Sequence, residues 1–124
     1  MIEQDANLET LERSLIDMAV ESWRFSRLFA RVAGKLDAGE SGRYLGQLRS
    51  FQKKIEDGLA ANGLHLVDVE GQPYDPWMAV SALNLGDFGP DEALAVDQML
   101  EPVIMGPTGL RRAGTVLLWR MLSP

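Results

Sequence analysis

The stretch GLHLVDVEGQPYDPWMAV, Gly63 to Val80, lies where the hydrophobic pattern of this 124-residue chain changes. Before it, apolar residues recur every three or four positions, which is typical of amphipathic helices. Within it, Leu64–Glu70 is rich in β-forming residues, and Gly71-Gln72-Pro73 predicts a turn. The sequence therefore predicts an α+β fold. A helical hairpin at residues 1–62 forms a dimeric helix bundle, and a small β-domain follows at residues 63–124.

Two helices are predicted before the change of pattern. The first runs from Asn7 to about Leu36, and the second follows the glycine-rich, acidic segment Asp37–Gly42. Ser41 is expected to be the N-cap of the second helix. That helix ends at Gly63, because glycine adopts the left-handed conformation that often closes a helix.

The apolar surface of these helices is larger than two helices can bury against each other. Trp23, Phe25 and Phe29 alone fall within two turns of the first helix. We expect a homodimeric four-helix bundle to cover this surface. The alternative is an intramolecular helical hairpin packed on a sheet. The residues expected at the dimer interface are Leu15, Met18, Trp23, Phe29, Leu48, Phe51 and Ile55.

Several short β-type runs follow Val80. The predicted strands are MAVSAL (78–83), ALAVDQML (93–100), EPVIM (101–105) and GTVLLW (114–119), with NLGDFGPDE, GPTG and RRAG as connecting segments. The segment GPDEAL (89–94) is alternatively a single helical turn with Asp91 and Glu92 near its start.

Composition and charge exclude several classes of function. Residues 1–62 hold ten acidic and nine basic residues, whereas residues 63–124 hold eight acidic and three basic ones. A net charge of −6 disfavours nucleic acid and anionic membrane surfaces, since both require clustered Lys and Arg. The polar N-terminus is unlike a signal peptide, and no apolar run approaches the ~20 residues of a membrane span, so a cytoplasmic location is expected.

Catalytic chemistry has little support in the sequence. There is no cysteine, and His65, the single histidine, lies in a predicted strand. The acidic residues Asp68, Glu70 and Asp75 lack the loop spacing of a calcium site. We therefore expect no metal, no cofactor, no catalytic residue and no enzyme activity. The chain is predicted to be a binding protein.

Two blocks of the sequence resemble the GrpE family of nucleotide exchange factors for DnaK-type chaperones. The first comprises the helix end at Gly63–Leu64, the strand Leu64–Glu70 and the turn Tyr74-Asp75-Pro76. The second comprises Leu110–Ala113 and the closing strand Gly114–Leu118, with Gly106 at the turn glycine of the family. The resemblance covers roughly residues 40–120.

The resemblance implies a homodimeric co-chaperone of protein folding and the stress response. Its β-domain would dock on the nucleotide-binding domain of a DnaK-type chaperone and promote ADP release. The residues expected to bind the chaperone are Tyr74, Pro76, Met99 and Leu117. Asp75, Gly106 and Arg111 are expected to be structural in the β-domain. Taken alone, the Asp75-Pro76 step is also compatible with a simple end to a hairpin.

The chain departs from the family pattern in three respects. The family's long paired helix before the bundle has no counterpart, and Ala79 replaces a family histidine. Glu101-Pro102-Val103 replaces a Lys-Gly-Tyr step in the part expected to contact the chaperone. Either the partner is a divergent DnaK-type protein, or the fold is kept and the exchange activity is lost. Glu101-Pro102-Val103 favours the second hypothesis, a dimeric adaptor or assembly protein that does not exchange nucleotide.

Overall fold

The computed structural model describes residues 2–121. The chain divides between Gly63 and Leu64 into two compact units. In the described range two helices are followed by six strands, so the predicted α+β class is confirmed.

The first unit is a pair of helices, α1 (Ile2–Ala33) and α2 (Ala38–Ala60). The helix α1 begins earlier than predicted. The N-cap of α2 is Asp37, whose carboxylate accepts a hydrogen bond from the Glu40 N–H at 3.0 Å, so the prediction of Ser41 as N-cap was wrong. Gly63 has φ of 74°, which confirms the left-handed residue expected after α2.

The face of α1 that is covered within this unit follows a three- and four-residue spacing. Its fully or partly buried members are Ile16, Ala19, Trp23, Ser26, Ala30 and Ala33. Such spacing is that of a helix packed along a neighbouring helix. The small residues at four of these six positions allow α1 and α2 to approach closely.

The second unit contains two three-stranded sheets. The strands are β1 (His65–Val67), β2 (Val80–Ala82), β3 (Leu94–Glu101), β4 (Val103–Gly106), β5 (Gly109–Arg112) and β6 (Gly114–Arg120). One sheet has the order β1-β4-β5 and is antiparallel. The other has the order β2-β6-β3, with β2 parallel and β3 antiparallel to β6. The predicted strands are present, and β5 was missed because Gly-Leu-Arg-Arg has no apolar alternation.

The core of the β-domain comes from alternate residues of its strands. In β6, Gly114, Val116 and Leu118 are buried, and Thr115 and Leu117 between them are half-buried, as a period of two requires. The chain passes from β3 in one sheet to β4 in the other through Pro102, which is fully buried. The GPDEAL segment is not a helical turn, since the short 3₁₀ helix Leu85–Asp87 precedes it and Leu94 begins β3.

Candidate partner-binding surface

The Tyr74-Asp75-Pro76-Trp77 segment forms a tight turn held by its own hydrogen bonds. The carboxylate of Asp75 accepts a hydrogen bond from the Trp77 N–H at 2.9 Å, and its carbonyl accepts one from the Met78 N–H at 2.9 Å. The Asp75 N–H donates to the Met78 sulfur at 3.3 Å. Pro76 restricts its own φ inside this turn. Both the side chain and the carbonyl of Asp75 thus hold the turn together.

Trp77 projects from this turn into solvent, with 94% of the residue exposed. An exposed tryptophan on a rigid turn is unfavourable in an isolated domain and is a common anchor of protein interfaces. Tyr74 and Pro76 were predicted to bind a partner, and Trp77 of the same segment was missed. Its position directly after an Asp-Pro step, where the chain cannot continue a strand, is the sequence feature that indicates an exposed aromatic residue.

Tyr74 and Pro76 line a groove of about 520 Å³ in the β-domain. Tyr74 is half-buried, and its N–H donates to the Leu94 carbonyl of β3 at 2.8 Å. The opposite side of the groove carries Leu85 and Phe88, from the 3₁₀ helix and the residue after it. The groove is thus a mainly apolar surface that two loops form together.

A hydrogen-bonded and aromatic network supports the Phe88 side of the groove. The Glu92 carboxylate accepts from the Arg120 guanidinium and from the Gly89 N–H, both at 2.8 Å. The Arg120 guanidinium lies 5.2 Å from the centre of the Phe88 ring, and Trp119 meets that ring edge-on. The hydrogen bond from Arg120, and then that from Gly89, lowers the pKa of Glu92 below its usual value.

The other two residues predicted to bind the chaperone lie elsewhere. Met99 is only 2% exposed and pairs with Val116 inside the sheet, so the prediction that it contacts a partner was wrong. A β-bulge between Val96 and Gln98 shifts the alternation of β3, so Met99 lies in the core together with Val96. Leu117 is half-buried on β6 and does not line the groove.

Gly106 and Arg111 come together in the β4–β5 hairpin. A side chain at Gly106 would place its Cβ 2.8 Å from Nε and 2.9 Å from Cγ of Arg111. Only glycine leaves room for this arginine to lie across the strand. The predicted structural importance of both residues agrees with this close approach.

The Glu101-Pro102-Val103 step lies where the chain passes from one sheet to the other. Pro102 and Val103 are buried, and the half-buried Glu101 accepts a hydrogen bond from the Thr115 hydroxyl at 2.9 Å. The two buried residues are therefore not part of an exposed partner-binding surface.

The helical unit has a second, mainly apolar stripe on α1 that α2 covers only in part, at Phe29, whose ring meets that of Tyr44 edge-on. It follows the heptad spacing of a coiled coil and comprises Leu8, Leu11, Leu15, Met18, Ser22, Phe25, Phe29 and Val32. Five of these are exposed, including Met18 at 69%, and the other three are half-buried. We call these eight residues the open seam.

The residues predicted for a dimer interface divide between the two faces of the helical unit. Leu15, Met18 and Phe29 belong to the open seam, and Phe51 is exposed on α2. Phe25, Phe29, Gln47, Leu48 and Phe51 line a hollow of about 190 Å³ in this unit.

Leu48 is buried within one chain, so its assignment to a surface between copies is corrected. Trp23 is half-buried, and the Arg27 guanidinium lies 4.9 Å from its ring centre. Its assignment to the interface stays a prediction. Ile55 is half-buried on α2.

No metal site was found in the part of the chain that the structure describes. Among residues 2–121 no three His, Cys, Asp or Glu side chains are grouped so that they could hold an ion. Neither described helix has an apolar stretch long enough to cross a membrane. No known family model matches the chain, and no curated protein and no solved structure is significantly similar to it.

Proposed function

We propose that this protein is a GrpE-like homodimeric nucleotide exchange factor for a DnaK-type chaperone of the cytoplasm. The observation that carries the proposal is the rigid turn of the β-domain that presents Trp77, beside Tyr74 and Pro76. A pre-ordered turn with one large exposed side chain loses little conformational entropy on docking. This suits a protein that must bind a partner's surface firmly and then release it.

The proposed mechanism is selection of an open chaperone. The β-domain binds the nucleotide-binding domain more tightly when its cleft is open than when it is closed. The exchange factor can shift that equilibrium only by this difference in affinity. ADP then dissociates from the open form. In this mechanism no residue of the present chain performs covalent chemistry, and no cofactor takes part.

The open seam supports the dimeric part of the proposal. Its 3-4 spacing is that of helices packed in a bundle, and five large apolar side chains of the seam are exposed between Leu8 and Val32. A second copy covers this stripe and can fill the hollow beside Phe25 and Phe51. The dimer interface proposed here comprises Leu15, Met18, Phe25, Phe29 and Phe51.

A dimeric adaptor without exchange activity is the second candidate. Glu101-Pro102-Val103 was its main support in the sequence. Because Pro102 and Val103 are buried at the junction of the sheets, this substitution leaves the exposed turn at Trp77 untouched. The adaptor hypothesis retains the acidic charge of the β-domain in its favour, with eight acidic residues against three basic ones.

The deciding experiment measures the release of a fluorescent ADP analogue from the DnaK-type chaperones of the same organism. We expect a rate that rises with protein concentration and saturates. Trp77→Ala should raise the half-saturating concentration about 10- to 100-fold, because truncating an anchor residue costs about 2 kcal/mol or more. The saturating rate should change little, since the open state that is selected is the same.

Two control variants make the result specific. Trp77→Phe keeps an aromatic anchor and should restore most of the affinity. Leu110→Ala removes an exposed apolar side chain from β5, in the sheet β1-β4-β5, and should leave the half-saturating concentration unchanged. If no chaperone of the cell releases ADP faster, the exchange mechanism is rejected and the adaptor becomes the leading candidate.

A further inference from the structure

Docking through the exposed turn at Trp77 does not account for the apolar groove beside Tyr74. We propose that it is a binding site for an extended peptide that contains prolines in a polyproline II conformation and carries a basic residue. This inference goes beyond the proposed exchange function, and it concerns the β-domain whether or not the protein acts on a chaperone.

The chemistry of the groove walls favours a proline-containing segment. The walls include the aromatic rings of Tyr74 and Phe88, the rings of Pro73 and Pro90, and the side chain of Leu85. Aromatic-lined grooves recognise polyproline II segments, because proline rings pack against aromatic side chains and the segment is already ordered before it binds. The network of Glu92 and Arg120 fixes the Phe88 side before any peptide binds.

The backbone at the floor of the groove is already paired. The Gly71 N–H donates to the Val96 carbonyl at 2.8 Å, the Val96 N–H donates to the Gln72 carbonyl at 2.9 Å, and the Tyr74 N–H donates to the Leu94 carbonyl at 2.8 Å. A ligand therefore cannot add to this edge of β3 as another strand. Recognition must use side chains, and a polyproline II segment fits because its own backbone needs no partner strand.

The charge around the groove selects a basic ligand. Asp75, Asp87 and Asp91 are exposed and directly adjoin groove residues in the chain. The Arg120 guanidinium is bound to Glu92, so it does not offset these three charges at the rim. An Arg or Lys next to the proline segment gains a favourable interaction with the rim, which salt weakens.

A direct binding titration tests the proposal on the 124-residue protein alone. The probe is a fluorescein-labelled ten-residue peptide with two Pro-Leu-X-Pro steps and two arginines, followed by fluorescence anisotropy. We expect saturable binding with a Kd at or below about 100 μM at low ionic strength. Two further peptides, with alanine in place of the prolines or glutamate in place of the arginines, should each bind about tenfold more weakly or not at all.

A matched pair of variants locates the site. Leu85 is 46% exposed in the groove, and Leu110 is 47% exposed on the other sheet, so both can be truncated without opening the core. Leu85→Ala should weaken peptide binding about tenfold, whereas Leu110→Ala should not change it. Circular dichroism melting establishes that both variants are folded.

The outcomes separate this inference from the exchange function. No saturable binding up to about 1 mM peptide, or equal weakening by both leucine variants, overturns the groove proposal. Saturable binding that depends on prolines, arginines and Leu85 supports it, even if ADP release is never accelerated. Accelerated ADP release without peptide binding leaves the exchange function standing and rejects the groove as a peptide site.

Discussion

At the scale of single residues, Glu92 joins the loop after the 3₁₀ helix to the last strand. Its two oxygens accept from Arg120 on β6 and from the Gly89 N–H, so one carboxylate holds both segments. These hydrogen bonds stabilise the charged form and lower the pKa of Glu92 in the folded protein. A group with a lowered folded pKa stabilises the fold above its unfolded pKa, about 4.3, and loses this contribution as pH falls through the folded value.

We predict that Glu92→Gln lowers the melting temperature of the β-domain near neutral pH. Because the native carboxylate becomes neutral in acid, the difference between wild type and variant should shrink as pH falls below about 4. Thermal melts of both proteins across this pH range measure the effect. In an Arg120→Gln background the same substitution should have a smaller effect, as expected for coupled partners. A difference that stays constant with pH contradicts the assignment.

Trp77 and Met99 mark what could and could not be predicted for single residues. Met99 was chosen by its position in a family pattern, and a β-bulge between Val96 and Gln98, which the sequence pattern does not display, places it in the core with Val96. Trp77 has no periodic neighbours, so burial patterns carry no information about it. Its exposure follows from the Asp75 turn, whose geometry depends on hydrogen bonds that a sequence does not display.

At the scale of elements, α1 has two apolar stripes rather than one. The covered face and the open seam are both three- and four-residue series, and they are displaced from each other by one position along the chain. The sequence predicted a helix correctly because either stripe is enough to indicate one. It could not show which stripe faces α2, since both have helical period and the open seam holds the larger apolar side chains. Ile16 and Val20, buried in the structure, were missed for this reason.

The open seam leads to a prediction about association. Burying a methionine side chain contributes about 1.5–3 kcal/mol, and a dimer buries two copies of Met18. Met18→Lys should therefore weaken dimerisation at least 100-fold and give a monomer at micromolar concentration. Analytical ultracentrifugation measures this. Thr10→Lys adds the same charge at an exposed position outside the seam and should leave association unchanged. A wild-type protein that is monomeric throughout the concentration range rejects the seam as a dimer interface.

At the scale of the whole molecule, the division between Gly63 and Leu64 coincides with the change of hydrophobic period that the sequence displays. Fold class and element order follow from that change, because each period requires its own kind of packing. The pairing of strands did not follow from it. The sheet β2-β6-β3 joins residues far apart in the chain, and β2 runs parallel to β6. Such long-range pairings depend on which faces pack together, and several arrangements satisfy the same pattern.

The two units should respond differently to protein concentration when they are heated. If the open seam is buried between two copies, association stabilises the helical unit by mass action, and the β-domain gains nothing directly from it. A tenfold increase in protein concentration adds about 1.4 kcal/mol to the stability of the dimer and should raise the melting midpoint of the helical unit by about 5 °C.

Circular dichroism at the helical band measures the melting of the helical unit. A Trp23→Phe variant follows the β-domain by fluorescence, because its remaining tryptophans are Trp77 and Trp119. In Met18→Lys the melting midpoint of the helical unit should no longer depend on protein concentration, while the midpoint of the β-domain, measured by fluorescence, stays the same. A helical midpoint that is independent of concentration in the wild type contradicts the dimeric bundle.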